Sequence, residues 1–168
     1  MATEESGIVV EITGTSEGLG VDLERLKTLA RHVVSKFQIA AANVSIAIEG
    51  DEAIKDVNRR FLGRSSATDV ISFDLSDDPD ECRHFDMVIN ADMAERQGKK
   101  RGHSTEAELA LYITHGLLHN LGFDDQQPDQ AQKMHTAEDE ILQQAGFGVI
   151  YDTDKQGSGP GYIAEPDQ

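Results

Sequence analysis

The sequence predicts an α+β domain, in which a mixed four-stranded sheet is packed with about five helices and a metal site lies on a central helix. Three observations carry that prediction. The first half alternates strand and helix patterns. Two strand patterns then follow each other with only an acidic turn between them, which predicts an antiparallel pair. The second half is helical and contains the pattern H-x3-H-x5-D, formed by His115, His119 and Asp125.

Ile8 to Thr13 alternates apolar and polar residues and reads as the first strand. From Val21 to Gln38, Leu23, Leu26, Leu29, Val33, Val34 and Phe37 recur at helical spacing. Asn43 to Glu49 alternates again and predicts a second strand. Asp51 is placed to cap a helix from about residue 52 to 61, and 63–67 reads as a loop. Asp69 to Leu75 and Phe85 to Asn90 are the third and fourth strands, with the acidic turn 77–81 between them. A helix follows from Ala91 to about Gly98. Ser104 heads half of a capping box, because Ala107 stands where the reciprocal Glu would be. The helix that it starts runs to about Leu121 and is apolar around much of its girth, so it belongs in the core. The last helix spans about Pro128 to Ala145, with the proline in its first turn. Residues 1–148 are expected to form the folded domain. Residues 149–168, acidic and containing Gly and Pro, read as a mobile tail.

Composition narrows the function. The chain has 168 residues, 38% hydrophobic and 27% charged, as a water-soluble domain requires. No apolar run approaches the roughly 20 residues of a membrane span, and the N-terminus lacks the pattern of a signal peptide. Cys82 is the only cysteine, so a cytoplasmic location is expected. The net charge of -16 argues against bulk attraction to nucleic acid but leaves room for a local basic groove. Two short basic clusters exist, Arg59-Arg60 with Arg64, and Lys99 to Arg101.

The chemistry points to His115 and His119. Four residues advance a helix by about 400°, so both rings share one face. Gly122 allows the chain to turn back after them, bringing Asp125 or its neighbour Asp124 toward the same point. Two imidazoles and a carboxylate suit Zn²⁺ with a position left for water. Position 116 is Gly, so this is not the H-E-x-x-H of a metalloprotease, and no general base is evident in the run.

The run His115-Gly-Leu-Leu-His119-Asn-Leu-Gly122-Phe-Asp124 resembles the signature H-G-x-L-H-L-x-G-Y-D-H of the YbeY-type endoribonucleases. Asn58-Arg-Arg-Phe61 and Thr68-Asp-Val-Ile-Ser-Phe73 resemble a second block of that family. Asp86 to Ile89, Gly102 to Ser104, Glu108, and Met134 with Glu138 match further positions in order. The resemblance implies a metal-dependent, single-strand-specific endoribonuclease. It also implies action in 16S rRNA 3′-end maturation and ribosome quality control, with single-stranded rRNA and the small ribosomal subunit as partners. The implied ligands are His115, His119 and Asp125, because Asp124 occupies the family's own Asp position. Asp125 is a departure, since the family has a third His there. Leu62 is another, since many members carry Arg at that place. Arg59 and Arg64 are the candidate phosphate contacts in its stead. A non-catalytic ribosome-assembly factor with a structural metal is the alternative reading, and a metallopeptidase-like hydrolase the third.

Overall fold

The computed structural model describes residues 7–14, 19–64, 66–78 and 80–147. The tail expected at 149–168 lies outside the described residues. Strands β1 (Ile8–Gly14), β2 (Ala42–Glu49), β3 (Val70–Asp74) and β4 (Arg83–Asn90) form one sheet in the order β1-β2-β4-β3. The first two pairings are parallel and β3–β4 is antiparallel. The α+β prediction with a mixed sheet is therefore correct. Helix α1 (Leu23–Ser35) separates β1 from β2, and α2 (Asp51–Leu62) separates β2 from β3. Helices α3 (Ala91–Arg101), α4 (Thr105–Asn120) and α5 (Pro128–Gln144) follow the sheet.

Strand periodicity builds the core. Val44, Ile46 and Ile48 of β2 and Phe85, Met87 and Ile89 of β4 are buried on one face, while Asn43, Ser45, His84 and Asp86 point the other way. Each fully buried large apolar side chain contributes roughly 1.5–3 kcal/mol. Helix α1 presents Leu26, Leu29, Ala30, Val33 and Val34 to this core. Helix α4 is buried without interruption from Ala107 to Leu118, as its apolar girth requires. Gly116 is part of that fit: a Cβ there would stand 3.1 Å from Val70 Cγ2 and 3.3 Å from the Met87 methyl carbon. The absence of a side chain lets α4 lie against β3 and β4.

Several boundaries differ from the sequence expectation. Helix α1 starts at Leu23, not Val21, because the Asp22 carboxylate accepts the N–H groups of Glu24 and Arg25. Asp51 is not an N-cap but the first residue of α2. Its own N–H is capped from another element, by Asp92 Oδ2 at 2.9 Å. Its carboxylate instead joins Asn90 Nδ2 at 2.8 Å and both terminal nitrogens of Arg96. Helix α3 continues past Gly98 to Arg101, where Gly102 takes a left-handed φ of 81°. Ser104 caps α4 as expected, accepting from Ala107 N–H at 3.0 Å.

Arg101 closes α3 onto α4 through Glu108, at 3.2 Å, with side chains only 5% and 0% exposed. Removing one member of such a pair strands a buried charge. Arg101→Met is expected to destabilise the fold by about 3 kcal/mol, read from the urea midpoint, and adding Glu108→Leu should recover most of the loss. An additive double mutant would show that the two charges act separately.

Candidate metal centre

Helix α4 places His115 and His119 one turn apart, with ring centroids 4.7 Å apart and planes at 83°. The helix then ends in a short sequence of backbone bonds. Leu121 N–H reaches Leu117 O at 2.9 Å, Gly122 N–H reaches His119 O at 3.1 Å, and Phe123 N–H reaches Leu118 O at 2.9 Å. Gly122 has φ 108°, a backbone region that strongly favours glycine. This reversal returns the chain to the histidines.

The reversal also distinguishes the two aspartates. The Asp124 carboxylate is used in the turn, accepting from Asp125 N–H at 2.8 Å and Gln126 N–H at 3.3 Å. Asp125 instead points its Oδ2 at both rings, 3.8 Å from His115 Nε2 and 3.8 Å from His119 Nε2. Those separations exceed hydrogen-bond range, so the three donor atoms face a shared space instead of one another. One donor atom from each residue lies within 4.8 Å of the others. An ion about 2.1 Å from each of its tetrahedral ligands spaces them about 3.4 Å apart. The 3.8 Å separations would close by about 0.4 Å and the widest, up to 4.8 Å, by about 1.4 Å around such an ion; two imidazoles and a carboxylate are a donor set that suits a divalent cation.

Behind the donors lies a buried polar layer. His115 is 2% exposed, and its Nδ1 is hydrogen-bonded to Oε2 of Glu138, which is itself 0% exposed. The second Glu138 oxygen takes His135 Nδ1 at 3.3 Å. Burial alone would lower the His115 pKa, but the Glu138 charge and hydrogen bond outweigh it and hold the ring above its ordinary value. Burial and the neighbouring His115 charge push His119 down, which favours the neutral, metal-ready imidazole. Burial raises Glu138, but His115 and His135 overcome it and keep the carboxylate ionised below its usual range. On β3, Ser72 Oγ donates to Gly116 O at 3.3 Å, tying the strand to α4. Asp69, just before β3, is buried and accepts from Val70 N–H at 2.8 Å and Thr68 Oγ at 3.3 Å. These bonds serve the backbone and the strand start.

Arg59 and Arg64 lie elsewhere in the chain, at the end of α2 and just beyond it. Arg59 pairs with Asp56 at 2.6 Å and is 61% exposed, and Arg60 shares the same carboxylate at 3.3 Å. Arg64 follows the left-handed Gly63, with its N–H on Asn58 O. Neither belongs to the histidine cluster. His135 is half-buried and bonded to Glu138. It is outside the three-residue cluster as well. Sequence reasoning gave Glu138 no role. The signals that could have found one are its match, with Met134, to a position of the family pattern and its place three residues after His135, on the helix that packs against α4.

Fold and cluster together define an α+β domain with a candidate divalent-metal centre at the end of its buried helix. Residues 11–146 match the family model for Endoribonuclease YbeY. A protein of that name from Myxococcus xanthus is 34% identical over 149 residues, covering 86% of this chain and 50% of its own. One from Anaeromyxobacter is 38% identical, covering 73% of this chain and 65% of its own. One from Nocardioides is 33% identical, covering 79% and 95%. This chain thus spans between half and two thirds of the first two relatives. A Thermotoga maritima protein solved in solution superposes with a TM-score of 0.55 at 24% identity, over 92% of this chain and all of that one, and shares the fold. The chain belongs to the YbeY family. No helix among the described residues is long and apolar enough to cross a membrane.

Burial raises the Asp69 pKa to about 7, against the opposing pull of His115 and the hydrogen bonds from Val70 and Thr68. A carboxyl raised in the folded state favours folding while it is protonated, and that contribution is lost as pH rises from about 4 through about 7. In metal-free protein, Asp69→Asn should therefore gain on the wild type across this window, by up to about 4 kcal/mol. Denaturant titrations at both ends of the window check it, and a pH-independent difference would contradict it.

Proposed function

We propose that this protein is a zinc-dependent endoribonuclease that cleaves single-stranded rRNA, acting in 16S rRNA 3′-end maturation and ribosome quality control on the small ribosomal subunit. The observation that carries the reading is the convergence of His115, His119 and Asp125 on a chain of the YbeY family. The curated relatives bear the name endoribonuclease, and the metal ligands proposed here are those three residues.

A divalent ion held there supplies Lewis acidity toward a phosphate oxygen and toward a water. The chain's own residues do the rest. His115 and His119 offer Nε2 atoms to one point, and burial with the adjacent His115 keeps His119 neutral. Asp125 contributes a negative charge, so with a divalent ion the centre is formally +1, where three imidazoles would leave +2. That charge moderates the acidity of the site. Arg59 and Arg64 are proposed to hold RNA phosphate. A guanidinium on a helix end, already steadied by Asp56 in the case of Arg59, offers a fork that matches phosphate oxygens.

Two experiments test this. Purified protein should carry about one zinc per chain by elemental analysis. Cleavage of a single-stranded rRNA fragment should stop with chelator, return with Zn²⁺, and be absent in the His115→Ala/His119→Ala double variant. Cleavage that survives chelation would overturn the reading. Metal without cleavage, but with binding to the small subunit, would return the assembly-factor reading. Separately, Arg59→Ala and Arg64→Ala should each weaken RNA binding at every sequence tried and reduce the slope of log affinity against log salt by about 1. An unchanged slope would remove that arginine from the interface.

A further inference from the structure

We infer that Glu138 is a positioning residue for the metal centre, selecting the His115 tautomer and ring orientation that present Nε2 to the ion. The inference rests on the reading of His115, His119 and Asp125 as metal ligands.

The geometry leads to it in steps. Glu138 is fully buried on α5, and its two oxygens are divided between two rings, Oε2 on His115 Nδ1 and Oε1 on His135 Nδ1. An ionised carboxylate can only accept hydrogen bonds, so the His115 nitrogen that faces it must carry the proton. In a neutral imidazole the lone pair is then on Nε2. Nε2 is also the atom 3.8 Å from Asp125 Oδ2, in the cluster with His119. One contact therefore decides which nitrogen bears a proton and which can bind a cation. The opposite tautomer would place a proton in the donor cluster.

The second contact gives the arrangement stiffness. His135 lies one turn before Glu138 on the same helix and holds the other oxygen. The carboxylate cannot rotate without losing a partner in a layer that excludes water. A carboxylate on the far nitrogen also makes the ligating nitrogen more electron-rich, so it strengthens a metal bond as well as aiming it. The same charge adds to that of Asp125, so this chain surrounds its cation with two carboxylates.

The experiment uses full-length protein and two variants. Glu138→Gln keeps the shape and one accepting oxygen but removes the charge. Glu138→Leu removes acceptor and charge together. Zinc affinity is measured by competition with a chromophoric chelator, and Co²⁺ is used for its ligand-field spectrum. The His115 tautomer in metal-free protein is read from imidazole nitrogen NMR shifts. We expect Glu138→Leu to lose affinity by about 10- to 100-fold, with a smaller loss in Glu138→Gln, an altered cobalt spectrum in both, and a wild-type His115 protonated at Nδ1. Unchanged affinity and cobalt spectrum in Glu138→Gln, or a neutral wild-type His115 protonated at Nε2 instead of Nδ1, read above the pH at which the ring loses its second proton, would overturn the inference. Should Glu138→Leu fail to fold, Glu138→Gln and the tautomer measurement decide alone. Wild-type protein that binds neither zinc nor cobalt would instead remove the metal reading on which the inference rests.

Discussion

Helix α4 is buried on every side from Ala107 to Leu118, and among its leucines and Ile113 it carries an imidazole, His115, at 2% exposure. An apolar core does not tolerate such a ring without polar company, because an unsatisfied buried nitrogen costs on the order of 1–3 kcal/mol. The fold meets this constraint from two directions. Helix α5 brings Glu138 to Nδ1, and the turn after Gly122 brings Asp125 toward Nε2. The position of α5, the left-handed glycine, and the order of the two aspartates all answer to that single ring. Gly116 belongs to the same set, since the contact of α4 with Val70 and Met87 is what carries His115 so deep.

Charge is the second constraint. Glu138, Asp125 and the nearby Asp69 place three carboxyl groups around two imidazoles, in a protein of net charge -16. In the interior these charges are sustained by opposite partners, and each group records its own balance. Glu138 stays ionised because two rings face it. Asp69 has the more distant His115, the N–H groups of Val70 and of Asp69 itself, and the Thr68 hydroxyl against complete burial, and its pKa rises to about 7. A divalent cation among the donors would add positive charge where the carboxyls are densest. It would stabilise the ionised carboxylates and reduce the conflict that burial creates for them.

Much of this was legible in the sequence, for reasons that can be named. The antiparallel β3–β4 pair followed from two strand patterns with only a turn between them. The histidine pair followed from helical geometry, and the Ser104 cap from the residue type and its place before an apolar run. What escaped depends on residues far apart in the chain. Asp51 has the right chemistry for an N-cap, but Asp92, 41 residues on, takes that role and leaves Asp51 to Arg96 and Asn90. Glu138 is 23 residues from the ring that it holds. No periodicity reports a contact between two helices, whereas the contact of His115 with His119 is local and repeats with the helix itself.

The aspartate at position 125 shows how the local and distant layers combine. A carboxylate is shorter than an imidazole, so it reaches the shared point only if the backbone comes close. The turn at Gly122 and the Asp124 side chain, bonded to the next two N–H groups, supply that approach. Its charge would by itself make the centre a milder Lewis acid than one with three neutral rings. The charge of Glu138, carried through His115, adds to it in the same direction. Both carboxylates would strengthen the hold on a bound cation while softening its electrophilic pull, so affinity and reactivity would be set against each other there. The balance leaves phosphate-binding groups with more of the work of stabilising charge in any phosphodiester reaction. In this chain, where Leu62 occupies the position after Phe61, that work falls to Arg59 and Arg64 within the proposed mechanism.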